Sequence, residues 1–360
     1  MLQFNEAIYG KPEIDAVQRV LKSRWLSGHK ETALFEDELA RWWGRKYCVS
    51  TNSGSSANFI ATQALQLPEG SEVITAAGGA FPTTINPMIY LHLKPVFVDI
   101  DEKTFNINPD LIEAAITPKT KAILPVHLFG FPAEMGKIIE IATKYNLKII
   151  EDACQAHGAE ISGKKVGSFA TSCFSFYPTK NMTTGEGGMI TTNDAKVAEK
   201  SRKLISHGSS KKYYHDFLGY NYRLTDLAAA IGLAQLKKLP EFNEKRKKNA
   251  QFLYNSLKNI PGIVLPQILS GHVFHQFTIR ITPELKKSRE EVISHLIKKG
   301  VGNSVFYPLP IHKQKAYKKY NSQNFAVAEK MAEEVLSLPI HPGLREEDLS
   351  QIIKAFEELL

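Results

Sequence analysis

Leu147-Lys-Ile-Ile-Glu-Asp-Ala-Cys-Gln-Ala-His-Gly158 begins as an apolar, β-rich run and breaks off on two acids followed by small and polar residues. The run from Leu147 to Ile150 has the length and composition of a strand buried in a sheet, and Asp152 follows it directly. That places a carboxylate at the carboxyl edge of the sheet, where α/β enzymes build their clefts. On either side, similar runs occur at Glu72–Thr75, Pro95–Asp99, Ala122–Val126, Cys173–Phe176 and Met189–Thr191. Helical patterns fill the gaps: Ala57, Ile60, Ala61, Ala64 and Leu65 share one helical face, and Met135, Ile138, Ile139 and Ala142 share another. The alternation predicts an α/β domain with a mixed, mostly parallel sheet covered by helices on both faces.

A further helix starts at the cap Thr225-Asp226 and carries Leu227, Ala230, Ile231 and Ala234, and the pattern changes at Leu239-Pro240. We therefore expect a large domain over residues 1–240 and a smaller α+β domain over 241–360. The second has an alternating strand at Val273–Ile281, a helix opened by the capping box Ser288-Arg-Glu-Glu291 and closed at Gly300, and amphipathic helices near 324–337 and 346–359.

At 360 residues with 43% hydrophobic and 23% charged content, the chain is too long for one small core and too apolar for disorder. Cys48, Cys154 and Cys173 form an odd count without CxxC spacing, and nothing near the start resembles a secretion signal, so a reducing cytoplasm is expected. No apolar run approaches the ~18 residues that span a bilayer. The net charge of +8 suits an anionic partner, but its lysine clusters, such as Lys245-Arg-Lys-Lys248, lack the interleaved aromatics of a groove that tracks nucleic acid. Several decoys fall away. In Gly158-Ala-Glu-Ile-Ser-Gly-Lys-Lys165, Lys165 stands where a phosphate-binding loop needs a hydroxyl; no GxGxxG follows the first strand; and the eleven histidines form no metal-ligand spacing.

Three places carry chemistry. Asn52-Ser-Gly-Ser-Ser56 ends a strand and opens a helix, so free N–H groups and hydroxyls around Gly54, Ser55 and Ser56 converge into an anion site, although a glycine turn with a serine cap also explains them. Asp152 could hold a protonated ring nitrogen, or cap the next turn. Lys180 lies just beyond a strand, in the glycine-punctuated stretch Cys173-Phe-Ser-Phe-Tyr-Pro-Thr-Lys-Asn-Met-Thr-Thr-Gly-Glu-Gly-Gly188. A strand-end acid and, a strand later, a lysine are what a pyridoxal phosphate enzyme needs: a carboxylate for the pyridinium and an amine for the aldehyde.

The chain resembles the DegT/DnrJ/EryC1/StrS group of sugar aminotransferases. The resemblance is carried by Glu151-Asp-Ala-Cys-Gln-Ala-His-Gly158, by Phe174-Ser-Phe-Tyr-Pro-Thr-Lys180 with Thr184-Gly-Glu-Gly-Gly188, and by Gly219-Tyr-Asn-Tyr-Arg-Leu-Thr-Asp226. Weaker echoes at Trp25-Leu-Ser-Gly28, Tyr307-Pro-Leu-Pro-Ile-His312 and Leu338-Pro-Ile-His-Pro342 extend it to nearly the whole chain.

The resemblance implies a fold type I pyridoxal phosphate enzyme that works as a homodimer with shared active sites, transferring an amino group from glutamate to a nucleotide-linked keto-sugar, a 4-keto-6-deoxyhexose. By the family's motifs, Lys180 would carry the cofactor, Asp152 would pair with the pyridine nitrogen, Gln155 would lie by the ring hydroxyl, and Phe81 would stack on the ring. Ser55, Ser56 and Ser175 would hold the phosphate, joined by Asn221 from the neighbouring subunit. Arg223, Tyr307 and His312 would meet the substrate. The stretches Asn52–Asn58 and Gly79–Pro87 look closer to the family's sugar 3-dehydratases, which have histidine in place of the lysine; Lys180 favours transamination. A pyridoxamine-dependent dehydratase is the near rival, and a regulator that binds nucleic acid the distant one.

Overall fold

The computed structural model describes residues 1–320 and 323–359; Asn321, Ser322 and Leu360, in the expected second domain, lie outside it. Seven strands make the main sheet: β1 (Tyr47–Thr51), β2 (Glu72–Ala76), β3 (Lys94–Val98), β4 (Thr120–Leu124), β5 (Lys148–Asp152), β6 (Thr171–Ser175) and β7 (Gly188–Thr192), in spatial order β1-β7-β6-β5-β4-β2-β3. All neighbours pair in parallel except β7, which runs antiparallel to both β1 and β6. Each strand predicted in this region is present, displaced by a residue or two at its ends. β2 and β7 are buried along their whole length, as strands covered on both faces must be.

Among the described residues, ten α-helices surround this sheet and the smaller body: α1 (Lys11–Ser23), α2 (Lys30–Trp43), α3 (Gly54–Ala64), α4 (Pro82–Tyr90), α5 (Met135–Lys144), α6 (Ala195–Leu204), α7 (Asp226–Leu257), α8 (Arg289–Lys298), α9 (Ala326–Glu334) and α10 (Glu346–Glu357). Among the described residues no helix is long and apolar enough to cross a membrane. A second sheet is formed by β8 (Ile263–Val264), β9 (Phe277–Ile281) and β10 (Val335–Leu338).

The structure corrects three element boundaries, of which the first is the strand expected over Val273–Ile281: it begins only at Phe277, after Phe274 at a φ of 43°. α7 does not stop at Leu239-Pro240 but runs for 32 residues with Pro240 inside it. An interior proline costs about 3 kcal/mol, and burial of Leu236, Leu239 and Phe242 around it offsets that cost. The first half of α7 packs on α1 and α2, while Ala250, Leu253 and Leu257 enter the second core with β9 and α10. The expected boundary between residues 240 and 241 thus falls inside a helix that serves both bodies. The helix expected over 324–337 ends at Glu334, because Val335–Leu338 pairs antiparallel with Phe277–Ile281. The capping box at Ser288 and Glu291 is formed as predicted.

Candidate active site

Helix α3 begins directly after β1, and Ser53 caps it by accepting a hydrogen bond from Ser56 N–H (3.1 Å). Gly54 is required by a close approach: a Cβ there would lie 2.5 Å from the Ser175 Cβ. The positive end of α3, with Gly54 and Ser55, therefore meets Ser175 at the end of β6, and all three line a cavity of about 420 Å³ over the carboxyl edge of the sheet. Asp152, Gln155, Lys180, Phe81 and Tyr307 line the same cavity. Phe81, half exposed, lies 5.7 Å from the Tyr307 ring, centroid to centroid.

Strand β5 carries two adjacent acids to opposite sides. Glu151 is fully buried and accepts from Ser172 Oγ (2.6 Å), from the N–H groups of Ala170 (2.7 Å), Phe169 (3.1 Å) and Gly167 (3.1 Å), and from His127 Nε2 (3.2 Å). Burial alone would raise its pKa; these donors, led by His127, outweigh that and hold it below the ordinary range.

Asp152 is only 4% exposed, and its donors are neutral: Thr84 Oγ1 (2.7 Å), Asn58 Nδ2 (3.3 Å) and Cys154 N–H (3.2 Å). Among the described residues no lysine, arginine or histidine forms an ion pair with it. A buried carboxylate with lone-pair capacity to spare and no cation calls for a positive N–H from the cavity. The Lys180 amine, also in the cavity, is pushed below its ordinary pKa by burial, against partial opposition from Cys154 and Asp152. This set fits pyridoxal phosphate: Asp152 for the ring nitrogen, Lys180 for the aldehyde carbon, Phe81 for the ring face, and the α3 terminus with Ser55 and Ser175 for the phosphate.

Other predicted residues lie elsewhere in the chain. The Ser56 hydroxyl donates to Asn52 Oδ1 (2.6 Å) and sits behind the turn. Asn221 is exposed and Arg223 approaches Ser206 Oγ (3.3 Å); neither lines the cavity, although the Tyr222 carbonyl accepts from Asn52 N–H (2.8 Å). His312 is buried outside the cavity, between the Ala77 carbonyl (3.3 Å) and Glu329 (3.1 Å). Sequence reasoning missed Thr84 and His275. Thr84 sits in the first turn of α4, three residues beyond Phe81, a position that helical spacing offers.

An amine whose pKa burial lowers and a buried acid that forms no ion pair among the described residues, lining one cavity at this edge of an α/β sheet, suit a pyridoxal phosphate enzyme. A model of the DegT/DnrJ/EryC1/StrS aminotransferase family matches residues 8–357, and the chain belongs to that family. It is 41% identical to a UDP-N-acetyl-3-dehydro-alpha-D-glucosamine 3-aminotransferase of Acidithiobacillus ferrooxidans, over 93% of this chain and 90% of the relative. It is 30% identical to the Helicobacter pylori aminotransferase of pseudoaminic acid biosynthesis, with a TM-score of 0.95 over 99% of this chain and 98% of that one. The scaffold also matches the E. coli GDP-4-keto-6-deoxy-D-mannose-3-dehydratase, at 27% identity and a TM-score of 0.93 over 99% of both chains. The protein is a pyridoxal-phosphate-dependent aminotransferase.

Proposed function

We propose that the enzyme aminates a keto-sugar carried on a nucleoside diphosphate, with glutamate giving the amino group. The observation that carries this reading is Lys180 itself, an amine in the cavity where the dehydratases of the family resemblance have histidine. The 3-aminotransferase relative and the chain's positive charge support the substrate class. The three cysteines are all free thiols, in keeping with a cytoplasmic enzyme.

Pyridoxal phosphate, when bound, supplies an electron sink and a carrier for the amino group. Asp152 would hold the ring nitrogen in its protonated form. Lys180, its pKa lowered by burial, would be placed to move a proton between the substrate carbon and the carrier carbon. Phe81 and Tyr307, side by side in the cavity wall, would lie against the ring.

The test is the mass of the product. Wild-type enzyme with glutamate is given nucleotide-linked sugars bearing the ketone at C3 and, separately, as a 4-keto-6-deoxyhexose. One of them should yield an amino sugar that keeps its neighbouring hydroxyl, with one 2-oxoglutarate released per product. The sequence reading favours the 4-keto sugar and the named relative the 3-keto one, so the panel also fixes the ring position. A deoxy keto-sugar as the main product would establish the dehydratase reading instead.

We also propose that two subunits share each site, Asn221 of one chain serving the phosphate of the other. Asn221 is exposed and outside its own cavity, as such a role requires. Asn221→Ala should release cofactor more readily. Mixing Asn221→Ala with Lys180→Ala subunits should restore activity, because each heterodimer then keeps one intact site. No recovery from demonstrated heterodimers would mean that the loop serves its own subunit.

A further inference from the structure

One histidine in the cavity has no part in the assignments above, yet an unusual number of buried polar groups hold it. His275 is 5% exposed and lines the cavity with Lys180 and Gln276. Its Nδ1 lies 3.2 Å from Asn181 Oδ1. The Asn181 amide can face only one way, since its Nδ2 donates to the Val273 carbonyl (3.1 Å) and to Asn243 Oδ1 (2.8 Å). Asn243 is fixed in turn, because its Nδ2 donates to the His157 carbonyl (2.9 Å). Two backbone carbonyls, which can only accept, thus orient both amides. Asn181 Oδ1 must accept, so His275 Nδ1 carries the proton and Nε2 is left with a bare lone pair.

Among the described residues, the hydrogen bond of the His275 ring is at Nδ1 and none is found at Nε2. The backbone is held as firmly as the ring. The buried Arg246, which forms no ion pair among the described residues, donates from Nη1 to the carbonyls of Phe274 (3.2 Å) and His275 (3.3 Å), and Phe274 sits at a φ of 43°, in the left-handed region. Lys180, Arg246 and His157 are the titratable groups that act on the imidazole; burial first, then the positive charge of Lys180 and Arg246, pushes it well below its ordinary pKa. A neutral ring with one lone pair, held at Nδ1 and at its backbone carbonyl, is a preset hydrogen-bond acceptor.

We propose that His275 Nε2 accepts a hydrogen bond from an N–H or O–H donor of the bound substrate, and so orients that substrate beside Lys180. The donor is the ammonium of the amino-group donor or a hydroxyl of the keto-sugar; only this choice rests on the function proposed above. Both carry the same chemistry at the contact, and the two half-reactions separate them.

The test begins with ¹⁵N-imidazole NMR of histidine-labelled holoenzyme, the His275 signals assigned from the His275→Gln variant. The expected spectrum is that of the Nδ1–H tautomer, and saturation with either L-glutamate or UDP-linked 3-keto-N-acetylglucosamine should shift the Nε2 resonance. In the half-reaction whose ligand causes the shift, His275→Leu should raise KM about tenfold, the equivalent of one lost hydrogen bond. His275→Gln, which keeps an acceptor, should recover most of that loss. The other half-reaction should change less than about twofold at equal cofactor content. An Nε2–H tautomer, an Nε2 signal indifferent to both ligands, or equal impairment by Leu and Gln in both half-reactions would overturn the proposal. Should the wild-type enzyme be inert to glutamate, the amino-donor assignment fails by itself, and the tautomer and the sugar titration still decide the role of His275.

Discussion

Lys180→Ala is expected to lower kcat by at least about a thousandfold, the upper range for losing a positioned proton carrier. If the same residue is the attachment point for the cofactor, as proposed, borohydride should erase the visible band of the wild-type enzyme and leave the reduced adduct on the Lys180 peptide. Burial is what makes the residue suitable: with its pKa depressed, more of the amine is neutral near pH 7 than for an exposed lysine. Lys180→Arg keeps the positive charge but cannot be neutralised, and should be as inactive as the alanine variant. An adduct on any other lysine, or kcat within about tenfold of wild type, would remove Lys180 from the centre of the mechanism.

Asp152→Asn should be nearly as damaging, although the shape of the side chain is kept. Thr84 and Asn58 donate to one carboxylate oxygen and Cys154 N–H to the other, so an amide NH₂ in either orientation meets a donor. No charge then remains to hold the ring nitrogen protonated. Breaking a buried charge pair costs about 3–5 kcal/mol, which corresponds to roughly 150- to 5,000-fold in kcat/KM. The fall should appear in kcat and in cofactor retention together. If Asp152→Asn kept more than about a tenth of wild-type kcat/KM, the acid would be a turn cap and little else.

The sheet was legible because each strand buries a short β-rich run between helices, and such runs announce themselves locally. What was not legible depends on distant partners. Nothing within residues 324–337 reveals that Val335–Leu338 will meet Phe277–Ile281, so a helical pattern was extended through a strand. Pro240 looked like a terminus because local propensity opposes it, while the packing of Leu236, Leu239 and Phe242 that overrides it comes from other elements. In the site, Gly54, Ser55, Asp152 and Ser175 stand at strand ends or a helix start, and Gln155 and Lys180 in the loops that follow β5 and β6, where sequence already marks a cleft. Thr84 bonds to Asp152 across 68 positions and His275 to Asn181 across 94, and no spacing rule reaches that far. His312 shows the reverse case: it sits in a recognisable stretch, yet its ring is held by Glu329 outside the cavity.

The two acids at the end of β5 make the enzyme sensitive to parity. Successive side chains in a strand point to opposite sides, so a slip of one residue would send Glu151 into the cavity and Asp152 into the nest of donors around Ser172. Both would still be carboxylates, and the composition of the strand would not change. The turn that feeds β5 has little slack to absorb such a slip, since Asn146 is already at a φ of 52° and Leu147 N–H is tied to the Ala142 carbonyl at 2.8 Å. Along this stretch, then, a single-residue insertion or deletion that shifts the strand exchanges the two acids while leaving their number unchanged.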